Sequence, residues 1–337
     1  MINAYAAPSI ITDCKTPDNK KSVPHITATQ ASTQNNNTIT STISTGVTGA
    51  ALQLYCIGIT MVIILILAEF IINQKENKHL YKRNETFNNI LIGTGLFCIS
   101  LVNRIIMLSA YYLAYSCRLF TLGNNVFVWA LAFILCDFTF YWYHLASHKI
   151  NWLWMSHSVH HSSTKFNVSV SLRQSWTTHL SGHFIFWLWL PFIGFHPLMI
   201  CTIITIGLFY QSWLHTELVG RLHPLFEFIF NTPSHHRVHH ASDLKYLDKN
   251  NGEVLIIWDR LFGTFQEEEE KPTYGLTKNL SSEDITTILL SDWKLLFRNV
   301  ISANSFKNRI NYLLQPPGWS PDSSSATVKE LRRRAEA

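Results

Sequence analysis

Between Val126 and His161 an apolar run passes without interruption into a series of imidazoles, ending DFTFYWYHLASHKINWLWMSHSVHH. A helix long enough to enter a bilayer must set its polar side chains where the hydrocarbon stops, so this stretch restricts both the architecture and where its chemistry lies. Positions i and i+4 of a helix lie over one another, so His144 and His148 share a face, as do His157, His160 and His161. The second spacing returns far downstream as His236, His239 and His240 in SHHRVHH. Fourteen of the sixteen histidines fall between residues 144 and 240, fewer than a third of the chain. One such box alone is usually ordinary surface or core histidine; three at one end of a bundle point to metal.

Composition agrees with a membrane protein, at 47% hydrophobic and 13% aromatic against 15% charged residues. Residues 1–49, rich in Ser, Thr and Asn, read as a disordered tail and not as a signal peptide. Residues 50–320 form the histidine-bearing membrane domain, and 321–337 a C-terminal tail. Within the domain Ala50–Ile72 is the clearest span, Ile90–Tyr115 a second that must accommodate Arg104, and Val126–Leu145 a third. The tract Thr177–Leu214, broken by Pro191, Gly194 and Pro197, is either two crossings or a re-entrant hairpin. In both cases its ends return to one side. From Gly220 onward the sequence is soluble in character, with Glu267 to Glu270 as a solvated face. The expected fold is all-α, a polytopic bundle of about four to five spans with a histidine-rich cap.

Lys75, Lys78, Lys82 and Arg83 make the loop after the first span basic, which places it, and by alternation the histidines, in the cytoplasm. The membrane would be the endoplasmic reticulum in a eukaryote or the inner membrane in a bacterium. A net charge of +5 spread over loops gives no nucleic-acid footprint. The six cysteines stand singly and read as packing residues.

Imidazole suits iron, zinc, copper and nickel, and brings no buried negative charge. Eight histidines in three boxes exceed the roughly four ligands that one ion takes, so two ions are expected. His215, at the end of the last apolar tract, is a further candidate ligand. Asp137, seven residues before His144 on the same helical face, and His235, beside the last box, are candidates for hydrogen bonding around the ligands. Asp137 could instead meet Arg104. His179 and His183 read as packing or supporting groups, and His25, His79, His196 and His223 are given no role.

DFTFYWYHLASH, SHSVHHSS, LRQS, QSWLHTE, NTPSHHRVHH and LIIWDRLFGTF followed by EKPTYGLT resemble the fatty acid hydroxylase and sterol desaturase superfamily, most of all its alkylglycerol monooxygenase branch. The resemblance covers residues 88–320 and implies an all-helical membrane protein with a cytosol-facing di-iron centre. It assigns ligand roles to His144 and His148, to His157, His160 and His161, and to His236, His239 and His240. It also implies dioxygen as co-substrate, a lipid substrate of alkylglycerol, sterol or fatty acyl type, and electrons from a donor protein or tetrahydrobiopterin. Hydroxylation and desaturation read alike at this level. The chain differs from the family pattern at Leu145 and Lys149, where an Arg and an acidic residue are usual, and at NNGE in place of an NYGG-like turn. Lys149 brings positive charge beside a ligand, where it would favour an anionic head group. A histidine-rich divalent metal transporter or sensor is the competing reading. It would set ionisable ligands along a path at mid-membrane depth, whereas these boxes gather at one end.

Overall fold

A helix that is apolar all the way round has no face for water, and lies either in a large core or in lipid. The computed structural model, which describes residues 29–337, contains several of this kind. In chain order the helices are α1 (Thr29–Glu76), α2 (Arg83–Ser116), α3 (Val126–Lys149), α4 (Asn151–His161), α5 (Trp189–Ile193), α6 (Pro197–Leu214), α7 (Pro224–Ile229), α8 (Pro233–His239), α9 (Ile257–Phe262), α10 (Ile285–Ser302), α11 (Phe306–Leu314) and α12 (Val328–Ala335). Short 3-10 turns lie at Val168–Leu172 and His183–Trp187. Among the described residues there is no β-strand, only two isolated bridges.

The chain divides into two compact units, 1–52 and 53–337. Of the segment read from sequence as a disordered tail, residues 1–28 lie outside the described residues and 29–49 are helical, the start of α1. In the second unit Gln53–Glu76, α3 and α6 are each long and apolar enough to cross a membrane. Helix α2 makes a fourth if its two halves, which meet at 47°, count as one span. Just before that bend the Ser100 hydroxyl donates to the Phe97 carbonyl at 2.8 Å, a back-bond of the sort that bends helices. Arg104, beyond the bend, lays its guanidinium 3.7 Å from the centre of the Tyr55 ring on α1. Its charge is met by an aromatic face and not by Asp137.

The tract from Thr177 to Leu214 is resolved into two unlike limbs. The first is a series of turns, a 3-10 segment and α5; the second is α6, a full-length helix. The first limb reaches the α2–α3 turn, where Leu119 and Phe120 donate their amides to the Phe192 and Ile193 carbonyls at 2.8 and 3.0 Å. Gly194 sits there at φ 136°, and a Cβ would stand 2.2 Å from the Phe120 carbonyl oxygen, so no side chain fits. The tract begins beside α4, with Thr177 Oγ1 3.0 Å from Ser156 Oγ, and ends at His215. Both ends do return to the histidine side, as expected. Tyr111, Cys136, Phe140, Trp187, Leu190 and Ile200 interlock α2, α3, α5 and α6 at the centre.

Buried carboxylates tie the histidine end together. Glu69 near the end of α1 accepts from the Tyr81 hydroxyl at 2.6 Å, from the Val168 amide at 2.7 Å and from the Thr216 hydroxyl. Glu85 at the start of α2 accepts from the Thr164 amide at 2.7 Å. The basic loop between α1 and α2 therefore lies at the same end as the histidines. Beyond Gly220 the chain is less soluble in character than its sequence reads. Trp293 and Leu296 of α10 pack on Met155 of α4, while Phe297, Ile301, Phe306 and Leu314 of α10 and α11 stay exposed.

Candidate metal centre

Each histidine box is set by a local stop in the chain. Helix α3, started by Asn125 capping the Phe127 and Val128 amides, ends at Lys149, and extended Ile150 turns the chain into α4. His144 and His148 thus occupy the last turns of α3, and His157, His160 and His161 the last turns of α4. Arg173, of the LRQS segment, is buried behind that end, its Nε donating to the Val159 carbonyl at 3.2 Å and to Ser162 Oγ at 2.9 Å. A cation at a helix C-terminus meets the negative end of the macrodipole. Helix α6 stops at Leu214 and leaves His215 as its cap. Thr232 and Pro233 start α8, which carries His236 and His239 and ends at His240.

These elements converge. His144, His148, His157, His161 and His239 bring one nitrogen each within 4.8 Å of one another, and His160, His215, His236 and His240 do the same. All nine sequence candidates therefore fall into two groups, of five and four. The groups adjoin, with the His161 and His240 rings 4.4 Å apart at their centres. Within them Nε2 atoms face Nε2 atoms: His144 to His157 at 2.9 Å, His157 to His161 at 3.0 Å, His236 to His215 at 3.0 Å and to His240 at 3.2 Å. Ligands about 2.0–2.1 Å from one ion stand roughly 2.9–3.4 Å from each other in octahedral or tetrahedral arrangements, so these separations fit a shared ion.

On His144, His239 and His215 the opposite ring nitrogen is held by a backbone acceptor, which leaves Nε2 free of its proton. His144 Nδ1 donates to the Asn251 carbonyl at 2.8 Å, His239 Nδ1 to Lys249 at 3.0 Å and His215 Nδ1 to Gln211 at 2.8 Å. His148 Nδ1 lies 3.5 Å from Asp248 Oδ1. His148 Nε2 and His239 Nε2 are buried and have no hydrogen-bond partner among the described residues. Buried polar atoms are seldom left so, and a bound cation would account for both. Burial, reinforced by neighbouring imidazoles, holds His157, His161, His236, His239 and His240 well below the usual histidine range. Burial takes His215 down to about 4. Neutral imidazoles are the form that binds metal, and a set of nine suits iron or zinc without burying charge.

The remaining candidates stand elsewhere. Asp137 touches no imidazole: its oxygens accept from the Val254 amide at 2.9 Å and Trp258 Nε1 at 2.7 Å. It anchors the loop whose earlier part holds His144. His235 lies outside both groups, its ring edge-on to Phe265. His179 and His183 pair with each other, ring centres 4.6 Å apart. Lys149 Nζ is paired on one side, 2.5 Å from Asp248 Oδ2, while its side chain stays half exposed. The acidic run is not only a solvated face: Glu268 accepts from Arg237 of the last box at 2.7 and 2.6 Å.

Sequence reading noted the NNGE turn but missed its role: Asp248–Asn251 supplies carbonyl acceptors to His144 and His239 and sets Asp248 beside His148. Asp259 supports it, accepting from the Asn251 and Gly252 amides at 2.7 Å each. The signal was present in LDKNNGE: Asp248 and Asn250 adopt φ of 59° and 56°, left-handed conformations that Asp and Asn tolerate best.

Comparison with known proteins adds to this geometry. Residues 129–264 match the family model described as Fatty acid hydroxylase. Alkylglycerol monooxygenase of Danio rerio is 36% identical over 261 residues, covering 76% of this chain and 58% of that protein. The Homo sapiens protein of the same name is 36% identical over 233 residues, covering 68% and 52%. Ornithine lipid hydroxylase OlsE of Rhizobium tropici is 32% identical over 143 residues, covering 41% and 43%. The chain spans about half the length of the alkylglycerol monooxygenases it matches. No solved structure matches it. The matched region runs from α3 to just beyond α9 and contains every histidine of both groups, so this part of the chain is a fatty acid hydroxylase domain by its family-model match.

Proposed function

We propose that this chain is a membrane-bound oxidoreductase whose nine histidines hold two iron ions and which hydroxylates a C–H bond of a lipid with dioxygen. The observation that carries this reading is the pair of adjoining all-imidazole groups with Nε2 atoms facing one another, and with Nδ1 of His144, His215 and His239 held by backbone carbonyls. Bound iron would supply the activation of dioxygen. In the whole reaction the lipid C–H, dioxygen, two electrons and two protons give the alcohol and water, the electrons coming from a reduced pterin or an electron-carrier protein.

The chain's own groups have separable parts in this. The carbonyls of Asn251, Lys249 and Gln211 set the tautomers before any ion arrives, so that entry of metal displaces no ring proton from Nε2. Phe166 stacks on His215 and on Tyr274, with ring centres 5.6 and 4.8 Å apart, and covers the four-histidine group. Trp154 covers the other group, its ring 5.2 Å from His148 and 5.7 Å from His161. Apolar covers of this kind exclude water from a reactive centre.

The relatives' names support a lipid with a polar head, of the alkylglycerol class. With Lys149 already paired to Asp248, an anionic head group loses its main support. The shared end of basic loop and histidines supports a cytoplasmic centre, with α1, α2, α3 and α6 as spans and the α5 limb as a broken fifth crossing. Residues 50–320 would form the working domain, flanked by the segments 1–49 and 321–337. A transporter is disfavoured because both groups lie at one end of the bundle.

The test is oxygen uptake and product analysis on purified protein, given alkylglycerols, sterols and fatty acyl lipids with and without tetrahydrobiopterin. Pterin-dependent oxidation of an alkylglycerol is expected; no oxygen uptake with any lipid and donor would contradict the reading.

A further inference from the structure

Among the described residues, the Asp248 carboxylate is the single anionic partner of the nine histidines. The other ring nitrogens that are held meet neutral groups: Asn251, Lys249, Gln211 and Arg173 carbonyls, and the Gln174 amide. Asp248 is shared. Its Oδ1 stands 3.5 Å from His148 Nδ1, while Oδ2 is 2.5 Å from Lys149 Nζ. The side chain of Asp248 is 9% exposed and that of Lys149 46% exposed, so the lysine reaches in from the surface to a carboxylate that is otherwise enclosed. Asp248 also opens the turn that holds His239 and His144.

We propose that Asp248 is a positioning residue for the ion of the five-histidine group, acting through His148, and that Lys149 weakens this action by drawing the carboxylate toward itself. The inference rests on the metal reading above. A carboxylate on the far nitrogen of a ligating imidazole orients the ring and strengthens it as a donor. Because the four-histidine group has no such partner among the described residues, the two metal positions differ, and loss of Asp248 affects one of them alone. Lys149 thereby gains a role: it adjusts a neighbour's ligand strength.

The test is Co²⁺ titration of detergent-solubilised, metal-stripped full-length protein, followed by visible absorption, for wild type, Asp248→Asn, Lys149→Met and the double variant. Asn suits the left-handed backbone at 248, so the turn is retained. Wild type is expected to take up two equivalents. Asp248→Asn should weaken one of them about 10–100-fold and leave the other within about twofold. Lys149→Met should tighten that same equivalent, and should have no effect once Asp248 is Asn. Unchanged binding by Asp248→Asn, equal weakening of both equivalents, or a Lys149→Met effect that survives in the double variant would overturn the proposal. If wild type itself binds no Co²⁺, it is the metal reading that fails.

Discussion

His236 lies at the heart of the four-histidine group, its Nε2 within 3.2 Å of two other imidazole nitrogens. His236→Ala is expected to remove the ion of the four-histidine group and to reduce turnover at least 100-fold, while the protein still inserts, since no span contains it. His79→Ala, in the exposed loop after α1, should change neither metal content nor rate; elemental analysis and product assay check both. Asp137→Ala should act differently, by leaving the buried Val254 amide and Trp258 indole without an acceptor. A loss of about 1–3 kcal/mol for each group follows, read as a lower melting temperature in detergent. Melting at the wild-type temperature would show that the loop does not depend on Asp137. At this scale the ligand candidates were legible because spacing repeats, whereas their supports were not. Asp137 shares a face with His144, but seven residues put it about 10 Å deeper along the helix, beyond reach of an imidazole at the end. The acceptors that do reach the rings are mostly backbone carbonyls, which carry no residue signature.

Helix α6 and the loop after Asn251 meet where Gly207 leaves room for Glu253. A Cβ at 207 would stand 2.4 Å from a Glu253 carboxylate oxygen. Gly207→Ala should therefore force the buried Glu253 carboxylate out of place and destabilise the protein by about 1–3 kcal/mol. Glu253→Ala in the same chain should restore most of that loss, and thermal melting of the two variants decides it; equal melting of single and double variants would mean the contact is not the cause. Long apolar elements were legible because every face is apolar. The broken limb before α6 was not, because hydropathy alone does not separate a helix from a series of turns threaded through a bundle. Nor were α10 and α11, whose charges are interleaved with the apolar residues they expose.

For the molecule as a whole, the basic loop and both histidine groups share one end, and the α2–α3 turn marks the other. With the remaining cysteines removed, Cys117 by that turn and a cysteine replacing His79 should be labelled by an impermeant thiol reagent from opposite sides of sealed vesicles, the second from the cytoplasmic side. Labelling of both from one side would contradict the arrangement of spans. The gathering of distant boxes into two adjoining groups was the part of the architecture that repetition in the sequence made legible; the division into five and four depends on where α6 and α8 end, which only packing decides. The most direct test of the account is the metal content of protein purified from membranes without chelator. About two irons per chain are expected, because five and four neutral nitrogens at these separations suit two ions; a single zinc with no iron would contradict it.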